Sequence, residues 1–220
     1  MIVAIDGPAG AGKSTVARQL ATRLGVGYLN TGSMYRALTL LALRNGVDLD
    51  DEATLSELAR THVIGLEATP AGDRVSVDGE DVTEAVREPV VTRAVSRVAV
   101  HRTVRAEIVA LQQALLSTGD WVADGRDIGS VVCPAADLKV FLTASPEVRA
   151  GRRHAELAAG GDDVELGDVL QDITRRDAID STRAESPLVV AQGAVVVDTS
   201  ELSVDDVVIR ITVLARGTGA

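Results

Sequence analysis

Short apolar runs alternate with segments of helical spacing along most of the chain. Ile2-Val3-Ala4-Ile5 is a β-branched run that closes on Asp6 and Gly7-Pro8, which predicts a strand ending in a tight loop. From Lys13, apolar residues recur at Val16, Leu20, Ala21 and Leu24 and stop at Gly25, as on one face of a helix. A second helix is predicted from Ser33 to Asn45, with Ser33 as its cap and Gly46 beyond its end. Tyr35, Leu38, Leu41 and Ala42 share its apolar face, and its first turn exposes Arg36.

The character changes over 62–83. Val63–Glu67 and Arg74–Asp78 read as two short strands around the turn signal Thr69-Pro70-Ala71-Gly72-Asp73, so 62–91 is taken as a small insertion with its own hairpin. Helical periodicity returns over Thr92–Ala99 and Arg102–Ser117. Trp121-Val122-Ala123 and Leu138–Leu142 are short apolar runs bounded by polar residues, the form of buried parallel strands. Ser145-Pro146-Glu147 is a helix start, cap followed by proline, and Gly160-Gly161-Asp162-Asp163 ends that helix. Another helix to about Thr182, a strand at Ala194–Val197 and a helix from Ser203 complete the chain. Strands alternating with helices predict one α/β domain with a doubly wound parallel sheet, whose ligands bind at the carboxyl ends of the strands.

Composition narrows the function classes. Of 220 residues, 46% are apolar and 25% charged, ordinary globular usage with enough apolar material for a core. Aromatics are only 2%, too few for the stacking platforms of single-strand binders, and the net charge of −10 opposes polyanion binding. No nucleic-acid partner is expected. Any anionic ligand must be held by a local cationic cluster. The single cysteine, Cys133, forms neither an internal disulfide nor a thiolate cage, which fits a reducing cytoplasm. The chain opens on its first strand without a signal-peptide pattern and has no run of membrane-spanning length, so a soluble cytoplasmic monomer is the expectation. His62, His101 and His154 are scattered and suggest neither a metal site nor a triad.

Gly7-Pro8-Ala9-Gly10-Ala11-Gly12-Lys13-Ser14 fits the phosphate-loop pattern G-x-x-x-x-G-K-[ST], between a predicted strand and a predicted helix as its mechanism requires. Backbone N–H groups of such a loop surround a phosphate at a positive helix end; Lys13 reaches the β- and γ-phosphates and the Ser14 hydroxyl is placed for Mg²⁺. That motif does not separate kinases from GTPases or motor ATPases. A guanine-reading Asn-Lys-x-Asp is absent, since the only lysine after Lys13 is Lys139, preceded by Leu138.

Three further motifs are more specific: Asn-Thr-Gly-Ser-Met-Tyr-Arg-Ala (30–37), Ala-Asp-Gly-Arg-Asp-Ile-Gly-Ser-Val-Val (123–132) and Arg-Arg-Asp-Ala-Ile-Asp-Ser-Thr-Arg (175–183). With Ile-Asp-Gly-Pro-Ala-Gly-Ala-Gly-Lys-Ser-Thr (5–15), they make the chain resemble the bacterial cytidylate kinases over nearly its whole length. The resemblance implies a P-loop kinase with a five-stranded parallel sheet, transferring the ATP γ-phosphoryl group to CMP or dCMP with Mg²⁺. It implies that Gly7, Pro8, Ala9, Gly10, Ala11, Gly12, Lys13, Ser14 and Thr15 bind ATP, and that Ser14 and Asp124 serve the metal. Thr31, Tyr35, Arg36, Ser96, Arg105, Asp124, Gly125, Arg126, Asp127, Arg176, Asp180 and Arg183 are the implied acceptor-binding residues. Lys13, Arg126, Arg153 and Arg183 are the implied catalytic cations. Arg149, Arg152 and Arg153 are read as part of a mobile lid over about 149–163, and position alone does not single out Arg153 among them.

Residue chemistry is compatible with these roles. Cytosine presents an N4 amino donor where uracil presents an acceptor, so a carboxylate at Asp127 favours cytosine. Arg176, Asp180 and Arg183 stand at i, i+4 and i+7 of a predicted helix and share one face. Read without the resemblance, that trio is a solvated ion-pair face, Arg36, Ser96 and Arg105 are helical surface residues, and Asp124-Gly125 is a turn. The departures Cys133 and Ser130 are mild. The rival readings are a P-loop kinase of another small acceptor (UMP, dTMP or a sugar acid) and a non-catalytic nucleotide-binding switch.

Overall fold

A computed structural model describes residues 1–69 and 72–217. The turn expected at 69–73 falls partly on Pro70 and Ala71, outside the described residues. The chain forms two compact units, Met1–Val26 with Val122–Ala220, and Gly27–Trp121. In chain order, β1 (Ile2–Asp6) and α1 (Lys13–Leu24) open the first unit. The second contains β2 (Gly27–Asn30), α2 (Thr31–Arg44), α3 (Glu52–Thr61), β3 (Ile64–Thr69), β4 (Gly72–Val77), β5 (Glu80–Asp81), α4 (Pro89–Val98) and α5 (Arg102–Leu116). β6 (Trp121–Gly125), β7 (Leu138–Thr143), α6 (Pro146–Ala159), α7 (Leu166–Thr182), β8 (Val195–Asp198) and α8 (Val204–Gly217) follow.

The main sheet has five strands in the order β2-β6-β1-β7-β8. β1 pairs in parallel with β7 from Val3↔Leu138 to Asp6↔Phe141, and β7 with β8 from Val140↔Val195 to Thr143↔Asp198. β2 starts against its own unit, where Gly27 N–H donates to the Asp120 carbonyl at 3.0 Å. The inner strands are apolar because both faces are covered: Val3, Ala4, Ile5, Val122, Ala123 and Leu142 have no exposure. Helices α1 and α8 pack together, and Val16, Ala17 and Leu20 of the one and Val207, Val208 and Ile211 of the other are buried. The sheet thereby presents Asp6, Asp124 and Gly125, and Thr143 at strand carboxyl ends, the usual ligand side of such sheets. In the second unit, β3, β4 and β5 form an antiparallel sheet, and Met34, Leu38, Leu55, Val91, Val98, Val104 and Ile108 make a core of its own. No described helix is long and apolar enough to cross a membrane.

Several boundaries differ from the sequence expectation. Asn30, not Ser33, caps α2; its side chain accepts the Ser33 N–H, so the cap lies three residues early and Arg36 lies half-buried in the second turn. β6 extends through Asp124 and Gly125, which are therefore the end of a strand and not a turn. A tight π-turn at Ile128–Val132 and helix α3 carry no strong periodic signal and went unread.

Candidate active site

The phosphate loop joins β1 to α1 through backbone only glycine adopts. Gly7 has φ 149°, and a Cβ there would stand 2.0 Å from the Leu142 carbonyl oxygen. At Gly10 a Cβ would stand 3.0 Å from Arg149. No acidic residue occupies the first turn of α1, so the positive end of that helix is left for an anion. Lys13 is buried, and its Nζ donates to the Pro8 carbonyl at 2.8 Å. Burial pushes its ammonium pKa well below the ordinary value; Arg126 adds to this, while Asp124, Asp180 and Asp6 oppose it. An arriving phosphate would reverse that imbalance. The Ser14 hydroxyl donates to Asp124 Oδ2 at 2.8 Å, and Asp124 is only 3% exposed. Thr15 is exposed on the outer side of α1.

Asp6 is also buried. Its Oδ1 accepts from Ile128 N–H and its Oδ2 from Gly129 N–H, each at 2.8 Å. Burial dominates its titration and raises its pKa to about 6; the two amides and Lys13 pull the other way, and Asp127 pushes further up.

A cationic cluster forms beside the loop. Arg126 pairs through Nε with Asp180 Oδ2 at 2.7 Å and donates through Nη1 to the Gly7 carbonyl at 3.0 Å. Arg183 approaches Asp180 Oδ1 at 3.5 Å and donates from Nε to the Ser186 carbonyl. It is the cap residue beyond α7, in extended backbone, and so does not share a helical face with Arg176 and Asp180 as expected. The solvated-face reading also fails: Asp180 is 8% exposed and the Arg183 side chain 4%. Arg176 has an Nε atom that is buried with no protein partner. Its pKa is lowered by burial first and by Arg126 second. For Asp180, burial alone would raise the pKa, but Arg126, Arg183 and Arg176 hold it below the usual carboxylate range. Three guanidiniums around one carboxylate leave an excess of positive charge suited to an anion.

The three arginines of the expected lid separate. Arg149 is buried, donating to the Ala144 carbonyl at 2.9 Å and the Ala9 carbonyl at 3.0 Å and pairing with Asp177 at 2.7 Å. It ties the phosphate loop to α6 and α7. Arg152 holds Thr199, after β8, through its hydroxyl at 2.9 Å and carbonyl at 2.6 Å. Only Arg153 is held by nothing more than a neighbour on its own helix, Glu156 at 3.0 Å. Helices α6 and α7 share a small apolar cluster, Ala150, Val169 and Ile173.

The remaining candidates lie in the second unit. Thr31 opens α2 and Tyr35 follows one turn later, both buried. Arg105, on α5, is 4% exposed; its guanidinium stands 5.3 Å from the centre of the Tyr35 ring and donates to the Ala99 carbonyl at 3.2 Å. It is no surface residue. Ser96 is half-buried on α4. The sequence reading assigned nothing to Asp6 or Thr199 and missed the anchoring role of Arg149; a lone charge closing an apolar strand was the one available signal, at Asp6.

A family model described as cytidylate kinase matches residues 3–216. The cytidylate kinase of Pelotomaculum thermopropionicum is 54% identical over 207 residues, which cover 94% of this chain and 92% of that protein. That of Rhodococcus jostii is 50% identical, covering 100% of this chain and 97% of its own. Among solved structures, a shikimate kinase from Bacteroides thetaiotaomicron superposes with a TM-score of 0.51 at 12% identity, covering 98% of each chain. That likeness shows the shared fold alone.

Proposed function

Because the chain belongs to the cytidylate kinase family, we propose that it transfers the γ-phosphoryl group of ATP to CMP or dCMP, giving ADP and CDP or dCDP. The observation that carries this reading furthest is the buried Arg126–Asp180–Arg183 cluster with Arg176, a second anion-binding feature beyond the phosphate loop. A simple nucleotide switch has no use for it. In the reaction an acceptor phosphate oxygen bonds to the γ-phosphorus as the bond to the β,γ-bridging oxygen breaks. No general base is needed, since positioning and charge neutralisation dominate phosphoryl transfer.

In this reading residues 7–15 hold the ATP phosphates, and Lys13 with Arg126, Arg153 and Arg183 offsets the charge of the transferring group. The Ser14–Asp124 pair offers the hard oxygen donors that suit Mg²⁺, an ion bound through one or two protein oxygens plus substrate phosphates. When bound, the ion would spread charge over the β- and γ-oxygens. Arg36 and Arg126 receive the acceptor phosphate, Arg176 and Asp180 the sugar, and Asp127 with Ser96 and Arg105 the base, while Thr31, Tyr35 and Gly125 are further acceptor-binding residues. Segment 62–91 is the acceptor-side insertion and 149–163 the lid. The enzyme is read as a cytoplasmic monomer acting on free nucleotides.

ADP release measured across the natural nucleoside monophosphates tests the reading. CMP and dCMP are expected to exceed UMP and dTMP, and equal or better turnover of UMP, dTMP or a sugar acid would overturn it. Asp127→Ala should shrink the CMP to UMP ratio of kcat/KM by about tenfold, since one base-edge contact is worth about 1–3 kcal/mol. An unchanged ratio moves base selection to Arg105 and Ser96.

The lid has its own test. α6 ends at Gly160, and Gly161 follows with φ 87° in an exposed stretch. Amide exchange over the later part of 149–163 should slow when a bisubstrate analogue is bound, whereas the turn around Arg149 should be protected in both states. Equal exchange throughout would remove the lid.

A further inference from the structure

Asp6 closes β1, and the transfer step described above makes no use of it. Its two carboxylate oxygens accept from the consecutive amides of Ile128 and Gly129. These amides open the π-turn Ile128–Val132, where the first donors of a helical segment have no partner within it. Asp127 stands in the capping position of that turn, yet its side chain makes no capping bond there. Its carbonyl instead accepts from Val131 and Val132. Capping falls to a residue 122 positions away in sequence. The next residue along, Gly7, supplies the carbonyl that receives Arg126 Nη1. The end of β1 therefore grips both the side chain of Arg126 and the backbone just beyond Asp127.

We propose that Asp6 is a positioning residue for acceptor recognition, fixing the Arg126–Asp127 segment so that the phosphate-binding guanidinium and base-reading carboxylate are set before the acceptor arrives. The proposal rests on the acceptor roles given to those two residues above. An asparagine cannot substitute, because two converging N–H donors require two acceptors and a carboxamide offers only one. The placement is costly in itself, first through burial and then through Asp127 as a like charge nearby, with the two amides and Lys13 opposing. A carboxylate at such a position suits a need for fixed geometry more than for stability alone.

The test is the KM for CMP, kcat, and the affinity for a non-hydrolysable ATP analogue in Asp6→Asn and Asp6→Glu. Asp6→Asn should raise the KM for CMP by about tenfold or more, as displacements near 1 Å can cost up to about a hundredfold. Asp6→Glu, which keeps both acceptors on a longer stem, should raise it less, and the ATP analogue should bind nearly as in the parent. Loss of kcat at an unchanged KM for CMP would mean a merely structural role and would overturn the proposal. If the asparagine variant does not fold, the glutamate variant decides, and a parent KM there overturns the proposal. Asp127→Ala measured alongside separates the two levels. If it alters CMP recognition and the Asp6 variants do not, the Asp6 proposal fails alone; if it alters nothing, the acceptor assignment fails and takes this proposal with it.

Discussion

Lys13→Met is expected to lower turnover by about 10³-fold, the scale on which a single preorganised charge-stabilising donor acts in a water-poor site. Methionine keeps most of the volume and removes the charge, so the loss reports on phosphate chemistry and not on packing. The thermal transition should not fall. In the nucleotide-free protein the buried ammonium is already disfavoured, with a pKa well below its ordinary value. A lysine whose folded pKa is lowered carries its stability cost below that folded value and sheds it as pH rises toward the unfolded one. The parent should therefore gain stability relative to the variant with rising alkaline pH. Turnover and melting curves across pH check both parts. Turnover near that of the parent would remove the phosphate-loop role of Lys13.

Asp180→Ala is expected to destabilise the free protein by about 3 kcal/mol, because removing one member of a buried ion pair strands the opposing charges. Losses of this kind run to about 3–5 kcal/mol, and the lower end applies here because the Arg126 side chain remains 21% exposed. Asp180 is the carboxylate both Arg126 and Arg183 reach, and Arg176 lies within its field. Inorganic phosphate or CMP should restore much of the lost stability, since an anion bound only by the folded form stabilises it by mass action. The sign with pH follows from the depressed Asp180 pKa. Its contribution is present above the unfolded value, near 4, and is lost as pH falls through the depressed folded value, so parent and variant converge in acid. Denaturant midpoints with and without phosphate provide the measurement. A variant as stable as the parent, or one that phosphate does not rescue, contradicts the cluster as an anion site.

Where the sequence was legible, a periodic or stereochemical constraint stood behind the signal. The β1–loop–α1 unit, the Ser145 cap of α6 and the strands at 121 and 138 follow from apolar period, proline placement and glycine backbone, and the structure has them. The cap of α2 was misplaced because Asn30, Thr31 and Ser33 all carry capping side chains, and only the backbone selects among them. Burial of charge was the other blind spot. Arg105, Arg149 and Arg183 look alike in a string of letters, yet one stacks on Tyr35, one holds the phosphate loop and one caps a helix beside Asp180. Those fates depend on partners from distant segments, which spacing along one helix cannot reveal.

The order of the strands has a consequence for how the chain is made. β1 is synthesised before both of the strands between which it lies in the sheet, β6 and β7. Its first paired residue, Val3, waits for Leu138. At about 5–20 residues per second of synthesis, that wait is on the order of ten seconds. Meanwhile residues 27–121, which have their own apolar core, emerge as one continuous piece. Folding of that piece draws the ends of a long loop together, while Ile2–Ile5 stays a β-branched segment without either native neighbour, the condition that favours wrong pairing between chains. The phosphate loop is thus completed only after β7, a flanking strand from far along the chain, has been made.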